Sequence, residues 1–93
     1  MKYTVRLGEA VDADLQRLAE FIGQHSETAA RRCVVAIQKG VTSLEVMPNR
    51  HPIIRDNRRE LYIPFGASGY VVQYRVDLDV VVVARIFHSR EDR

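Results

Sequence analysis

Four side chains in the second half of the chain are of the types that act on phosphate groups. Three are arginines, Arg59, Arg85 and Arg90, and the fourth is His88. An arginine guanidinium binds phosphate or carboxylate through two parallel hydrogen bonds, and a histidine serves as general base or general acid near neutral pH. These residues are therefore candidates for contacting a target. The alternative is that Arg59 forms only an edge ion pair, while His88 and Arg90 belong to a solvated strand end.

The cysteine and histidine content argues against a disulfide and against a metal site. The chain has one cysteine, Cys33, and three dispersed histidines, His25, His51 and His88. One cysteine cannot form an internal disulfide, and the set lacks the clustered ligands of a zinc site. Cys33 falls in a helical apolar pattern, which predicts a buried structural thiol. We expect no metal and no cofactor.

The charges are divided unevenly along the chain, although the net charge is only +2. Residues 1–48 carry six basic and six acidic groups, whereas residues 49–93 carry eight arginines, six acids and no lysine. Arginine in place of lysine favours bidentate contacts to phosphate or carboxylate, but this excess is too small to predict nucleic-acid binding. A sheet edge guarded by arginine is an equally good interpretation.

Length and composition predict one domain over residues 1–93. An apolar fraction of 46% with 28% charged residues is typical of a soluble globular protein. The N-terminal residues alternate between polar and apolar and then meet Gly8, which is typical of neither a signal peptide nor a membrane span. The expected location is the cytoplasm.

The elements that must position the candidate side chains follow from the spacing of the apolar residues. Residues 3–7 alternate as in a half-buried strand. Two helical patterns follow with a short link between them, which predicts an antiparallel helical hairpin. The apolar stripes are Val11, Leu15, Leu18 and Ile22 in the first helix and Ala30, Cys33, Val34, Ile37, Val41 and Leu44 in the second.

Three strands are predicted after the helices, following a loop over residues 49–57. Apolar runs are separated by turn signals at 66–69 and 77–79, which is typical of an antiparallel meander. Val80–Val83 is apolar at every position, so we expect this strand to be central or covered on its second face. The result is an α+β fold in which a helical hairpin packs on an antiparallel sheet. The core predicted beneath the helices contains Leu61, Ile63 and Val72 or Tyr74.

Several different short motifs are distributed along nearly the whole chain. The most specific set is Arg59-Glu60-Leu61, then the aromatic strand Gly69–Val76, then His88-Ser89-Arg90. In this order they resemble the RelE/ParE superfamily of toxins from type II toxin–antitoxin (plasmid stabilisation) modules. The weaker matching motifs are Tyr3-Thr4-Val5, Asp14-Leu15 with Leu18, Phe21-Ile22, Ala30, Leu44–Pro48 and Glu91.

The resemblance implies a protein partner and a growth-blocking activity. A cognate antitoxin neutralises such a toxin in a hetero-oligomer by wrapping a segment over the helical hairpin and the sheet. We therefore expect antitoxin contacts at Leu15 and Leu18 on the hairpin, and at Val81, Val83 and Phe87 on the apolar last strand. The RelE-like branch cuts mRNA in the ribosomal A site, whereas the ParE-like branch poisons DNA gyrase and has no known nuclease chemistry.

Three positions favour the ParE-like branch. The RelE-like branch often places basic residues where this chain has Tyr62, Pro64 and Val71, and it uses a tyrosine beyond the last arginine that has no counterpart here. The alternative is a ribosome-dependent mRNA endonuclease, for which His88, Arg90 and Arg59 would be the catalytic set. A third interpretation is a toxin fold that is retained with little toxicity.

The resemblance also implies that residues distant in sequence converge. Target contacts are assigned to Arg59, Arg85, His88 and Arg90, and Arg59, His88 and Arg90 are expected to lie within reach of one another. Simple geometry opposes this expectation. In a three-stranded meander the first and last strands run parallel, so the start of one and the end of the other lie at opposite ends of the sheet.

Overall fold

The computed structural model describes residues 2–93, which form two helices packed on one face of a five-stranded sheet. The predicted α+β architecture is confirmed. No helix within these residues has both the length and the apolar character needed to cross a membrane. The helices are α1 (Val11–Gly23) and α2 (Glu27–Ser43), and a short 3-10 turn lies at Pro48–Arg50. The strands are β1 (Thr4–Leu7), β2 (Ile53–Arg55), β3 (Arg58–Phe65), β4 (Ser68–Asp77) and β5 (Val80–His88).

The strands are ordered β1-β5-β4-β3-β2 across the sheet. The last four are successive antiparallel neighbours, as a meander requires. β1 pairs in parallel with β5, although α1, α2 and β2–β4 separate the two strands in the sequence. The sheet is therefore mixed, whereas an antiparallel sheet was predicted. The interpretation of Val80–Val83 as part of a central strand is confirmed, because β5 lies between β1 and β4.

The helical hairpin forms because each helix has one apolar stripe and a defined boundary. Ser26 caps α2, where its Oγ accepts a hydrogen bond from the Ala29 N–H at 3.1 Å. Both stripes pack on the sheet, and the predicted buried thiol of Cys33 is confirmed. The core contains Val11, Leu18, Cys33, Ile37, Leu44, Leu61, Ile63, Tyr70, Val72, Tyr74, Val81, Val83 and Ile86.

The segment predicted as a loop over residues 49–57 contains the short strand β2. It forms a hairpin with β3, in which Arg55 pairs with Arg58 across the turn residues Asp56 and Asn57. Both turn residues have positive φ, at 46° and 66°. Asp and Asn tolerate this conformation well and support a two-residue hairpin turn. The prediction was wrong because Ile53-Ile54 is too short a run to indicate a strand by itself.

A β-bulge in β5 changes which side chains face the helices. Gln73 pairs with Arg85 and Tyr74 with Val83, so Ala84 is an extra residue with no partner on β4. Val81 and Val83 before the bulge point to the helices and are fully buried. Phe87, which shares their odd numbering, pairs with Val71 on the opposite face.

Gly40 permits a close approach between α2 and β3. A Cβ atom at this position would lie 2.7 Å from Cγ1 of Ile63 and 3.6 Å from Cδ2 of Leu61. The missing side chain therefore lets the second helix rest directly on the third strand.

Candidate functional site

A buried carboxylate joins α1 to the edge of the sheet. Asp14 is 2% exposed. Its oxygens accept hydrogen bonds from Nε and Nη2 of Arg85 at 2.8 and 3.0 Å, from Nη1 of Arg17 at 2.7 Å and from the Ile86 N–H at 2.9 Å. Burial alone raises the pKa of Asp14, but these hydrogen bonds outweigh burial and lower the pKa to about 2. The carboxylate is therefore ionised at neutral pH.

The Asp14 carboxylate lies where β1 stops covering β5. The last residue of β1, Leu7, pairs with Val83. Beyond that point the Ile86 N–H donates to Asp14, and the Ile86 carbonyl accepts a hydrogen bond from Nη2 of Arg17 at 3.2 Å. Side chains of α1 thus replace a neighbouring strand and satisfy the backbone of an exposed edge.

The sequence interpretation missed the role of Asp14, although a signal was present. Asp14 is three residues after Val11 and four before Leu18, so it lies within the buried stripe of α1. A carboxylate in such a stripe needs a charged partner from elsewhere in the fold. That partner is Arg85, which was assigned only to target binding. Its side chain is 40% exposed, and its guanidinium also lies 4.7 Å from the centre of the Phe87 ring.

The same network fixes the C-terminal turn. Nη2 of Arg17 lies 3.2 Å from Oε1 of Glu91, and this oxygen accepts the His88 N–H at 2.8 Å. β5 ends at His88, so Arg90 lies beyond the strand. A turn follows instead, and it is held against α1.

Both ring nitrogens of His88 are engaged within the protein. Nδ1 accepts the backbone N–H of Arg90 at 3.1 Å, and Nε2 lies 3.0 Å from Oγ of Ser68. Because Nδ1 is an acceptor, the hydrogen-bond network assigns the proton of the neutral ring to Nε2. Nε2–H then donates to Ser68, which is the wrong direction for a histidine that activates a serine.

A groove with a volume of about 510 Å³ lies between α1 and the end of β5. Its floor is apolar and its rim is charged. Phe21 stands at the rim and is 62% exposed. We call this surface the α1 groove, and it is lined by Leu18, Phe21, Ile22, Tyr70, His88 and Arg90 among others.

Arg59 does not join His88 and Arg90, so the predicted convergence of these three residues is wrong. Its Nη1 donates to the carbonyl oxygens of Asn49 and His51 at 3.0 and 2.6 Å. Arg59 pairs with Tyr74, whereas His88 pairs with Tyr70, four residues away or about 13 Å along the sheet. The geometric objection to the convergence therefore holds.

Arg59 instead anchors the connection between α2 and β2. The Tyr74 hydroxyl donates to the Pro48 carbonyl in the same connection. The His51 ring packs edge-on against Tyr74 at 6.3 Å between ring centres. Burial, with smaller contributions from the charges of Arg50 and Arg59, lowers the pKa of His51. The function of Arg59 that the contacts support is structural.

The residues expected to contact an antitoxin divide between the core and the surface. Val81 and Val83 are fully buried beneath the helices, and Leu18 is 5% exposed. Leu15 and Phe87 are half-buried and present some surface. The interpretation that Val81 and Val83 form the exposed side of an apolar strand is therefore corrected. At these positions the helices cover one face of β5, and β1 and β4 pair with its two edges.

The face of the sheet away from the helices carries a row of arginines that sequence interpretation did not assemble. Arg55 pairs with Arg58, and Arg58 pairs with Arg75. Arg75 pairs with Val82, and Val82 pairs with Arg6. The row therefore crosses all five strands and is called the arginine row. The available signal was weak, because only Arg6 and Arg75 have apolar residues on both sides in the sequence.

Comparison with known sequences places the chain in a family. The profile of the family described as "ParE toxin of type II toxin-antitoxin system, parDE" matches residues 5–93. The chain belongs to the ParE toxin family. It is 40% identical over 90 residues to Toxin RelE3 of Caulobacter vibrioides, which covers 97% of this chain and 98% of that protein. Toxin RelE1 of the same organism is 33% identical over the full length of both chains.

Solved structures support the fold of this ParE-family toxin. A chain from the "Chromosomal ParDE TA system from P. aeruginosa" aligns over 94% of this chain and 96% of its own length, with a TM-score of 0.78 at 18% identity. A chain of the toxin–antitoxin complex RelBE2 from Mycobacterium tuberculosis aligns over 98% and 95%, with a TM-score of 0.66 at 23% identity. The chain is a type II toxin of the RelE/ParE superfamily.

Proposed function

We propose that this ParE-family toxin blocks growth by binding DNA gyrase rather than by cutting RNA. The observation that carries the proposal is that the candidate nuclease residues are not assembled into one site. His88 and Arg90 line the α1 groove, whereas Arg59 holds a loop about 13 Å away along the sheet. Arg85 is bound to Asp14.

The chemistry of RNA cleavage explains why this arrangement matters. Attack by a 2′-hydroxyl needs a base for its proton, cations for the charge that develops on phosphorus and an acid for the leaving oxygen. His88 uses both ring nitrogens within the chain. On the open face, the row of side chains nearest to His88 consists of Tyr62, Val71 and Phe87, none of which is charged. Arg90 alone supplies a cation but neither the base nor the acid that this reaction needs.

We also propose that a cognate antitoxin occupies the α1 groove and keeps the toxin inactive in a cytoplasmic hetero-oligomer. Phe21 is a large exposed apolar side chain beside an apolar floor, which suits a helix or strand with apolar anchors. The similar chains of known structure come from toxin–antitoxin systems, which supports this partner. Leu15 and Phe87, which are half-buried, are the other accessible candidates among the residues expected to contact it.

A second candidate function is ribosome-dependent mRNA cleavage. Two observations favour it: His88 and Arg90 share the α1 groove, and the full-length relatives carry the name RelE. In that case His88, in its protonated imidazolium form, would donate the Nε2 proton to the leaving oxygen as general acid, and Arg90 would hold phosphate.

Two assays with the purified chain separate these functions. We expect the toxin to inhibit DNA supercoiling by gyrase and to leave protein synthesis in a cell-free extract unchanged. If translation stops and cleaved mRNA accumulates while supercoiling continues, the gyrase proposal is wrong and the second function holds. If both reactions continue and induced cells still grow, the fold is retained with little toxicity.

The variant Arg90→Ala tests whether the rim of the α1 groove contacts the target. We expect it to abolish growth inhibition while purified variant and antitoxin still form a complex. Arg31→Ala is the matched control, because Arg31 is an exposed arginine on α2 that forms an ion pair with Glu27. Full toxicity of both Arg90→Ala and His88→Ala would place the toxic surface elsewhere on the molecule.

A further inference from the structure

Repulsion within the arginine row destabilises the sheet. Arg55, Arg58 and Arg75 occupy directly opposed positions on three adjacent strands, and like charges in such positions repel. Within residues 2–93, none of these arginines lies within 4.0 Å of an acidic group, and neither does Arg6. Such a repulsive arrangement is relieved when an anionic partner binds.

Within the described part of the chain, nearby acidic groups do not form ion pairs with the row. Glu60 is on the adjacent row of the same face, but its carboxylate accepts hydrogen bonds from Nε of Arg93 at 3.2 Å and from Nε2 of Gln73 at 3.0 Å. Asp77 follows Arg75 by two residues on β4 and forms none of the ion pairs in the described chain. The row therefore presents a line of positive charge.

The geometry of the row identifies a polyanion. Adjacent strands are about 4.8 Å apart, so the row extends for about 19 Å from Arg55 to Arg6, with Val82 as its one uncharged position. We propose that the arginine row binds the phosphate backbone of double-stranded DNA. Arginine forks match phosphate oxygens, and contacts to phosphates alone are sufficient for sequence-independent binding.

Two features favour duplex DNA over other anionic partners. Single-stranded nucleic acid is held by stacking its bases on aromatic side chains, but the nearest aromatics, Tyr62 and Phe87, lie two rows away, and the guanidinium of Arg85 covers Phe87. An acidic protein segment needs buried apolar anchors, and the row offers only the half-buried Val82. A linear charge without anchors suits a duplex backbone.

The proposal goes beyond gyrase inhibition and stands or falls independently of it, because its test uses only the purified chain and DNA. Binding to a fluorescein-labelled 20-base-pair duplex is measured by anisotropy between 25 and 200 mM salt. Four phosphate contacts predict a slope of about −3 to −4 for the logarithm of the binding constant against the logarithm of the salt concentration. A chain that does not bind the duplex at 25 mM salt overturns the proposal.

Charge-matched variants locate the binding surface. The double variant Arg58→Gln with Arg75→Gln should reduce the magnitude of the slope by about 2 and weaken binding at least tenfold at 25 mM salt. The control, Arg31→Gln with Arg32→Gln on α2, removes the same charge from the opposite layer and should leave the slope unchanged. Equal losses in both double variants would mean binding by net charge alone and would overturn the proposal.

Further outcomes test the commitment to a duplex. Tighter binding of a single strand of DNA or RNA than of the duplex, or equal binding of a poly-glutamate peptide, would also overturn it. We expect the Arg58→Gln and Arg75→Gln pair to unfold at an equal or higher urea concentration than the natural sequence, because repulsion is removed. If this pair fails to fold, the pair Arg6→Gln and Arg55→Gln, at the exposed ends of the row, provides the same test.

Discussion

The two faces of the sheet use the same strands for opposite purposes. On the helix side, alternate residues such as Val72, Tyr74 and Val83 are fully buried and belong to the hydrophobic core. On the open side, their immediate neighbours Gln73 and Arg75 lie in two rows of mainly polar or charged groups, of which the second is interrupted by Val82. A substitution on the first face therefore tests stability, whereas a substitution on the second tests recognition.

The largest expected effect is on the helix side, at Leu18. Leu18→Ala removes a side chain that is 5% exposed and should lower the free energy of unfolding by about 2–5 kcal/mol through lost burial and a residual cavity. Urea unfolding measures this. Leu78→Ala, at a turn residue that is 90% exposed, is the control and should change stability by less than about 0.5 kcal/mol. Similar values for both would show that the α1 stripe is not core.

The second largest effect on stability is expected at Asp14, which joins α1 to the edge of the sheet. Asp14→Ala should lower the free energy of unfolding by about 3 kcal/mol, because it leaves the Ile86 N–H and two guanidinium groups without their buried partner. This loss is at the lower end of the range for a broken buried ion pair, because the side chains of Arg17 and Arg85 remain in contact with water. Thermal or urea unfolding at pH 7 provides the measurement. A loss below about 0.5 kcal/mol would mean that the carboxylate is not needed at this edge.

Acid should weaken the same junction in a defined pH window. The pKa of Asp14 is about 2 in the folded protein, against 3.8 for an aspartate in an unfolded chain, so the unfolded state binds the proton more readily. The stabilisation is complete above pH 3.8 and is lost as the pH falls towards 2. The expected loss is about 2 kcal/mol. Urea unfolding between pH 5 and 2 measures it, and Asp14→Asn should lack this component of the pH dependence.

The smallest effect is expected on the open face and has the opposite sign. Arg75→Gln should raise the free energy of unfolding by a few tenths of a kcal/mol, since Arg75 directly opposes Arg58. Arg31→Gln, which breaks an exposed ion pair with Glu27, should lower it slightly. A clear loss of stability in Arg75→Gln would mean that the arginine row supports the fold and that the contrast between the faces is wrong.

Local patterns were sufficient for most of the fold. The stripe from Val11 to Ile22 has the helical period, and the meander is marked by turn residues, so both could be predicted without tertiary information. The strand β2 could not be predicted in this way, because the two apolar residues Ile53-Ile54 are too few to show a strand period. Its existence depends on the pairing with β3 and on the two turn residues with positive φ.

The candidate site was predicted less well because it depends on contacts between distant residues. Arg85 was expected to contact a target, but its principal partner is Asp14, 71 residues away in the sequence. Arg59 was grouped with His88 and Arg90 by motif order, yet it donates to the carbonyl oxygens of a loop eight to ten residues before it. Motif order does not determine distance in a sheet, since strand direction and register decide which ends meet.

The sequence by itself determined the family, the elements and the apolar side of each helix, because hydrophobic period and turn chemistry are local properties. The tertiary structure alone decided the side chains that each face of the sheet presents. One unpaired residue, Ala84, shifts the alternation of β5, so that Val81 and Val83 enter the core while Phe87 faces outward. The arginine row likewise exists only through register, which brings Arg6, Arg55, Arg58 and Arg75 into one line across the five strands.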